Sequence, residues 1–154
     1  MLRKYLVIIL CLLLVLCCAC GSSNQSSDQK VKRYTYDDLS YEVPSSWSVD
    51  TEDPDVAFMQ YSDDENKLVM VTKYEADSAS RGKMFDNIGE YEPSDYKLAS
   101  GDTSRGAIYE NEDGWLVAQY SIDASNGDEY RIAIAQKDFD ADLVAAVMNS
   151  VDIK

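Results

Sequence analysis

Trp115-Leu116-Val117-Ala118-Gln119-Tyr120-Ser121-Ile122-Asp123, followed across Ser125-Asn126-Gly127-Asp128 by Glu129-Tyr130-Arg131-Ile132-Ala133-Ile134-Ala135-Gln136-Lys137, decides the fold. Both runs are rich in the aromatic and β-branched residues that suit a pleated, half-buried surface. Asn-Gly between them is the strongest short hairpin signal, because both residues tolerate the positive φ of a type I′ turn. The stretch therefore predicts two antiparallel strands.

The same reading extends outward. Ala107 to Asn111 faces the Trp115 strand across Glu112-Asp113-Gly114, and Val56 to Ser62 faces Lys67 to Glu75 across Asp63-Asp64-Glu65-Asn66. Leu39, Tyr41 and Val43 alternate with Ser40 and Glu42 until Pro44, which cannot donate to a ladder, ends that strand. Trp47 and Val49 predict a further short strand, and Val151 to Ile153 a last one.

Two segments depart from period two. Ser78 to Gly89 sets Met84, Phe85 and Ile88 at helical spacing. Gly82 within it costs about 1 kcal/mol relative to Ala. Asp140 to Ser150 carries Leu143, Val144 and Val147 on one stripe, with Phe139 leading in and Asp138 or Asp140 placed to cap the first turn. The central strands are apolar on both faces: Leu68 and Met70 oppose Val69 and Val71, and Leu116 and Ala118 oppose Trp115 and Val117. A sheet with one wet face shows a cleaner alternation. The expectation is an α/β (α+β) fold in which an antiparallel sheet is flanked by helices, an α/β/α sandwich.

Two motifs carry a family resemblance. Leu39-Ser40-Tyr41-Glu42-Val43-Pro44-Ser45-Ser46-Trp47 resembles the opening of PsbP-like (PsbP/DcrB-type) domains, where a strand runs into Pro and Trp follows three residues later. Phe139 through Val144, then Val147 to Asn149-Ser150-Val151, is similar to their final helix and its exit. The resemblance runs from about Tyr34 to the end and implies an antiparallel sheet between helices. The family includes photosystem accessory proteins and bacterial lipoproteins; it shares no catalytic motif, so it implies no functional residue here.

The N-terminus is of another character. Arg3-Lys4, an apolar run from Leu6 to Ala19, and Cys20-Gly21-Ser22-Ser23 have the layout of an export signal. The junction resembles a bacterial lipoprotein signal, with Cys20 as the lipidated residue and Cys17 where such signals usually carry Leu. As a helix, Leu6 to Ala19 would cover roughly 21 Å, short of a hydrocarbon core of about 30 Å. A retained membrane span is the weaker reading. The expected organisation is a signal peptide over 1–19, a lipidated Ser-rich tether over 20–30 and a globular domain over 31–154. Two acyl chains on one residue suffice for stable attachment, placing the domain at the extracytoplasmic face of the cell membrane.

Composition narrows the chemistry. The chain has no histidine, so it cannot assemble a Ser-His-Asp triad, a Cys-His pair or a histidine-based metal site. Its four cysteines (Cys11, Cys17, Cys18 and Cys20) all lie at or before the expected cut, leaving the domain without a disulfide. At −14, and two charges more negative once Arg3 and Lys4 are lost, it is a poor nucleic-acid binder and is repelled by anionic lipid. The acidic turns fail as calcium loops: counted from Asp123, Gly127 falls fifth rather than sixth, and Ile134 stands where the distal glutamate belongs. Tyr41, Tyr61, Tyr74, Tyr120 and Tyr130 sit in predicted strands, where core packing is the ordinary role and an exposed contact patch the alternative. The sequence thus predicts a membrane-anchored lipoprotein with a non-catalytic binding or accessory role, a protein partner and no cofactor. A carboxylate-dependent envelope hydrolase and a calcium-responsive module are the competing readings.

Overall fold

The computed structural model describes residues 30–50 and 58–154. The signal peptide, Cys20 and all but the last residue of the tether lie outside the described residues. Two antiparallel sheets form the frame. The smaller joins β1 (Val31–Tyr36), β2 (Leu39–Pro44) and β11 (Asp152–Ile153) in the order β1-β2-β11. The larger contains β3 (Ser48–Asp50), β4 (Phe58–Tyr61), β5 (Lys67–Tyr74), β6 (Glu92–Pro93), β8 (Thr103–Glu110), β9 (Leu116–Asp123) and β10 (Glu129–Gln136). Its order is β3-β4-β5-β10-β9-β8-β6, with β7 (Tyr96–Lys97) also pairing β8.

Register follows side-chain alternation. On β10, Tyr130, Ile132 and Ile134 enter the main core with Val69 and Val71 of β5 and Ala118, Tyr120 and Ile122 of β9. Leu39, Tyr41 and Val43 of β2 close over them from the small sheet. The buried polar groups of this core are paired: Gln60 Nε2 donates to the Tyr41 hydroxyl at 2.9 Å. Burial pushes that phenol far above its ordinary pKa, so it stays protonated.

The single described helix, α1 (Ala141–Ser150), buries Val144, Val147 and Met148 on the same side. Asp140 caps it, its carboxylate accepting from the backbone N–H groups of Asp142 and Leu143, each at 3.1 Å. The cap is fixed from behind, since Asp140 N donates to the fully buried Gln136 side chain at 3.0 Å. Leu143, expected in the stripe, is only half-buried, and Met148 lies deeper.

The structure corrects three expectations. Ser78 to Gly89 is not a helix but a chain of turns closed by three-residue hydrogen bonds, such as Arg81 N to Ser78 O and Asp86 N to Lys83 O. Gly82 sits at φ +73°, which helical geometry excludes, and its N–H is taken by the carboxylate of Glu129. With that helix gone, the α/β/α sandwich is gone too: the fold is sheet-rich, with the small sheet and α1 covering one face of the large sheet. The β9–β10 loop is also not a type I′ turn. Only Gly127 has positive φ, and Ala124 N bonds Asp128 O across a three-residue loop, the arrangement in which a type I turn ends on a left-handed glycine. β1, not anticipated as a separate strand, pairs with β2 along its whole length.

Candidate functional site

Alternation sends the other residues of the large sheet to its second face, and that face is divided. At one end the turns after β5 fold over it. Arg131 Nε donates to Glu129 at 2.5 Å, Arg131 Nη2 donates to the Ser80 carbonyl at 2.6 Å, and the guanidinium lies 4.0 Å from the Tyr74 ring centroid. Burial alone would raise the pKa of Glu129, but the Arg131 guanidinium and the Gly82 N–H outweigh it and hold the carboxyl below its usual value. This charged pair anchors the covering turns. Both of its charges are committed to that task.

The other end has no cover among the described residues. Val117, Ala133 and Ala135 form its buried floor, and Leu68, Met70, Tyr109 and Trp115 pack around them, half-buried. Met59 and Tyr61 of β4 extend it. The result is a groove of about 690 Å³, within the range of ligand-sized clefts. Tyr109 donates to Gln119 Oε1 at 2.8 Å, which leaves the Gln119 amide N–H groups as donors on an apolar floor. Lys137 lies 5.3 Å from the Trp115 ring. Asp64 and Glu65 from the β4–β5 turn and Asp113 from the β8–β9 turn line its rim. The Ser62 hydroxyl and Asn66 backbone N–H donate to Asp64 and lower its pKa to about 2, so it is ionised at neutral pH.

A second cleft, about 770 Å³, opens between the end of β2 and the start of α1, where Asp63, Asp64, Asp140 and Asp142 approach Lys67. Two of its charges already serve the fold: Asp140 caps α1 and pairs with Lys67 at 2.7 Å. Among the described residues no group of three or more Asp, Glu, Cys or His side chains converges as a metal site. The carboxylates whose pKa departs clearly from its ordinary value (Asp64, Asp128, Glu129 and Asp140) all shift downward. A general acid needs the opposite. The groove presents half-exposed rings and thioethers inside a polar rim.

No protein-family profile matches the sequence, and no curated protein does. Solved structures do. The solution structure of cyanobacterial PsbP from Synechocystis sp. PCC 6803 superposes at a TM-score of 0.56 with 13% identity, covering 88% of this chain and 99% of that one. The domain is PsbP-like in fold. A crystal structure from Bacteroides thetaiotaomicron VPI-5482 matches at a TM-score of 0.52 and 16% identity over 80% of this chain, which spans 48% of that protein's length. At these identities the likeness is one of fold.

Within the PsbP-like domain the expected tyrosines divide by face. Tyr41, Tyr120 and Tyr130 are fully buried in the main core. Tyr61 and Tyr74 stand half-buried on the second face, Tyr61 in the groove and Tyr74 under Arg131. Of the acidic turns, Asp63–Glu65 lies at the groove's rim, while Asp123–Glu129 closes the β9–β10 hairpin at the other end of the sheet, where Asp128 pairs with Lys73 at 3.0 Å. Sequence reasoning does not reach the groove, although part of its signal is there: Leu68, Met70, Trp115 and Val117 are apolar on the face opposite the main core, where helical cover is expected and the structure shows a groove.

Proposed function

We propose that this chain is a non-catalytic accessory protein of the cell envelope. It is exported, cut before Cys20, held by lipid on that residue at the extracytoplasmic face of the membrane, and engages a protein partner through the open half of the large sheet. The observation that carries this reading is the groove: an apolar floor and half-exposed aromatic side chains, uncovered among the described residues. Apolar faces of this kind mark interaction sites more often than they mark idle surface. The charged start and short apolar run support the export signal, and the accessory members of the PsbP-like family support the role by analogy.

The carboxylate-hydrolase reading is weaker, because the shifted carboxylates move toward ionisation and the most buried one, Glu129, is locked by Arg131. Mass spectrometry of the membrane fraction is expected to find a diacylglyceryl Cys20 at the new N-terminus; an intact Met1 terminus contradicts the anchor. Met70→Glu places a charge on the groove wall at a half-exposed position, so the fold is expected to survive. Loss of the partner from detergent-solubilised membranes supports the groove as the contact surface, and unchanged recovery refutes it. Turnover of an envelope glycan, abolished by one carboxylate change, would overturn the non-catalytic assignment.

A further inference from the structure

We infer that the groove's occupant is a basic, apolar polypeptide segment, with two cations anchored by the acidic turns and apolar side chains laid on the sheet floor between them. The inference rests on the groove being the contact surface and adds the chemistry of what binds there. Four observations select this occupant. The floor is hydrocarbon, ring and thioether, with Gln119 offering free donors near its middle. The rim carries Asp64, Glu65 and Asp113; Arg131 is already neutralised by Glu129, so among the described residues lining the groove Lys137 alone opposes three carboxylates. These rim acids come from two turns at the same end of the sheet, one from β4–β5 and one from β8–β9, which flank the β5-β10-β9 floor on either side. The whole chain carries −14, which adds a long-range field of the same sign.

Other occupants fit less well. Nucleic acid and anionic lipid meet the wrong charge. A glycan would set its hydroxyls against a floor that offers few partners, and unpaired polar burial is costly. A second copy of this chain would bring its own acidic turns to the same rim. A polypeptide carrying Lys or Arg beside aromatic or aliphatic residues satisfies both floor and rim.

Geometry gives a spacing. In the order β4-β5-β10-β9-β8, the centres of the two turns are three strand spacings apart, or about 14 Å. That is about four residues of extended chain. Two cations about four residues apart, with apolar residues between, therefore reach both turns at once.

The test uses the protein as extracted from membranes into detergent micelles and a fluorescein-labelled synthetic peptide with two lysines at that spacing around Trp and Leu, read by polarisation. Binding is expected, at least about tenfold weaker for the Glu65→Lys/Asp113→Lys double variant and weakened by salt. Both positions are exposed and their side chains make no hydrogen bond, so the variant is expected to keep the wild-type melting temperature. A peptide with glutamates replacing the lysines is expected not to bind, and one with adjacent lysines to bind more weakly. No binding, or equal binding to the double variant or of the glutamate peptide, overturns the inference. In-cell photocrosslinking from Gln119 separates the two levels. An adduct at Gln119 with no affinity for the basic peptide sinks the chemistry and leaves the contact surface standing; no adduct from the groove removes the surface itself.

Discussion

Gly106 on β8 tests the packing of the main core against the edge of the sheet. A methyl group built there would lie 2.3 Å from the Ser94 carbonyl oxygen and 2.4 and 2.5 Å from two ring carbons of Tyr120. Neither neighbour can yield cheaply. Ser94 belongs to the backbone that crosses β8, its N–H bonded to Gly106 O at 2.9 Å, and Tyr120 is fully buried in edge-on contact with Tyr96. Overpacking of this kind costs about 1–3 kcal/mol, occasionally more, and an overlap of about an ångström with backbone belongs at the upper end of that range. For a domain of roughly 120 residues, about 3 kcal/mol lowers the melting temperature by about 10–12 °C. Gly89→Ala is the control, because a methyl there meets nothing within 4 Å; exposed changes of that kind stay within about 0.5 kcal/mol. Thermal unfolding followed by circular dichroism compares the two. A Gly106→Ala protein that melts with the Gly89→Ala control would refute the placement of β8 against Ser94 and Tyr120.

Val147→Asp buries an unpaired charge at a position that is 1% exposed and is expected to abolish cooperative unfolding at room temperature; a folded variant would show that α1 is not part of the core. Asp140→Ala removes the helix cap and is expected to cost about 1 kcal/mol, read from the urea midpoint. Stability is also expected to depend on pH with a definite sign. Asp64, Asp128, Glu129 and Asp140 are all more acidic in the fold than their ordinary values. Their contribution is complete above those ordinary values and is lost as pH falls through the folded ones. Urea midpoints should therefore decline below about pH 4.5 and continue downward to about pH 2. Glu129→Gln should weaken the upper part of that decline, and a midpoint that rises on acidification would contradict the assignment.

The strands were legible in the sequence because period-two alternation and turn chemistry agree. β5, β9 and β10 fall within a residue of their predicted limits, and of the two cap candidates, Asp138 and Asp140, the structure uses Asp140. What was not legible was long-range. Met84, Phe85 and Ile88 have helical spacing, but Gly82 takes a left-handed conformation to donate to Glu129, a residue nearly fifty positions away. Met84 is buried all the same, so the segment packs its apolar residues without helical hydrogen bonding. The same override created the candidate site. Apolar residues on both faces of a strand imply cover, but cannot say whether it comes from the chain or from a partner. Among the described residues, turns cover the Glu129–Arg131 end and leave the Val117–Ala133 end open. The asymmetry depends on where one glycine and one ion pair meet.

The claim that the open half of the sheet is the working surface is most directly tested by in-cell photocrosslinking with a photoreactive residue at Gln119 in the groove, compared with one at the exposed Asn149 on the opposite, helix-covered side. A discrete adduct is expected from Gln119, lost in the Met70→Glu background, and none from Asn149. Adducts from Asn149 alone, or a Gln119 adduct indifferent to Met70→Glu, would contradict it.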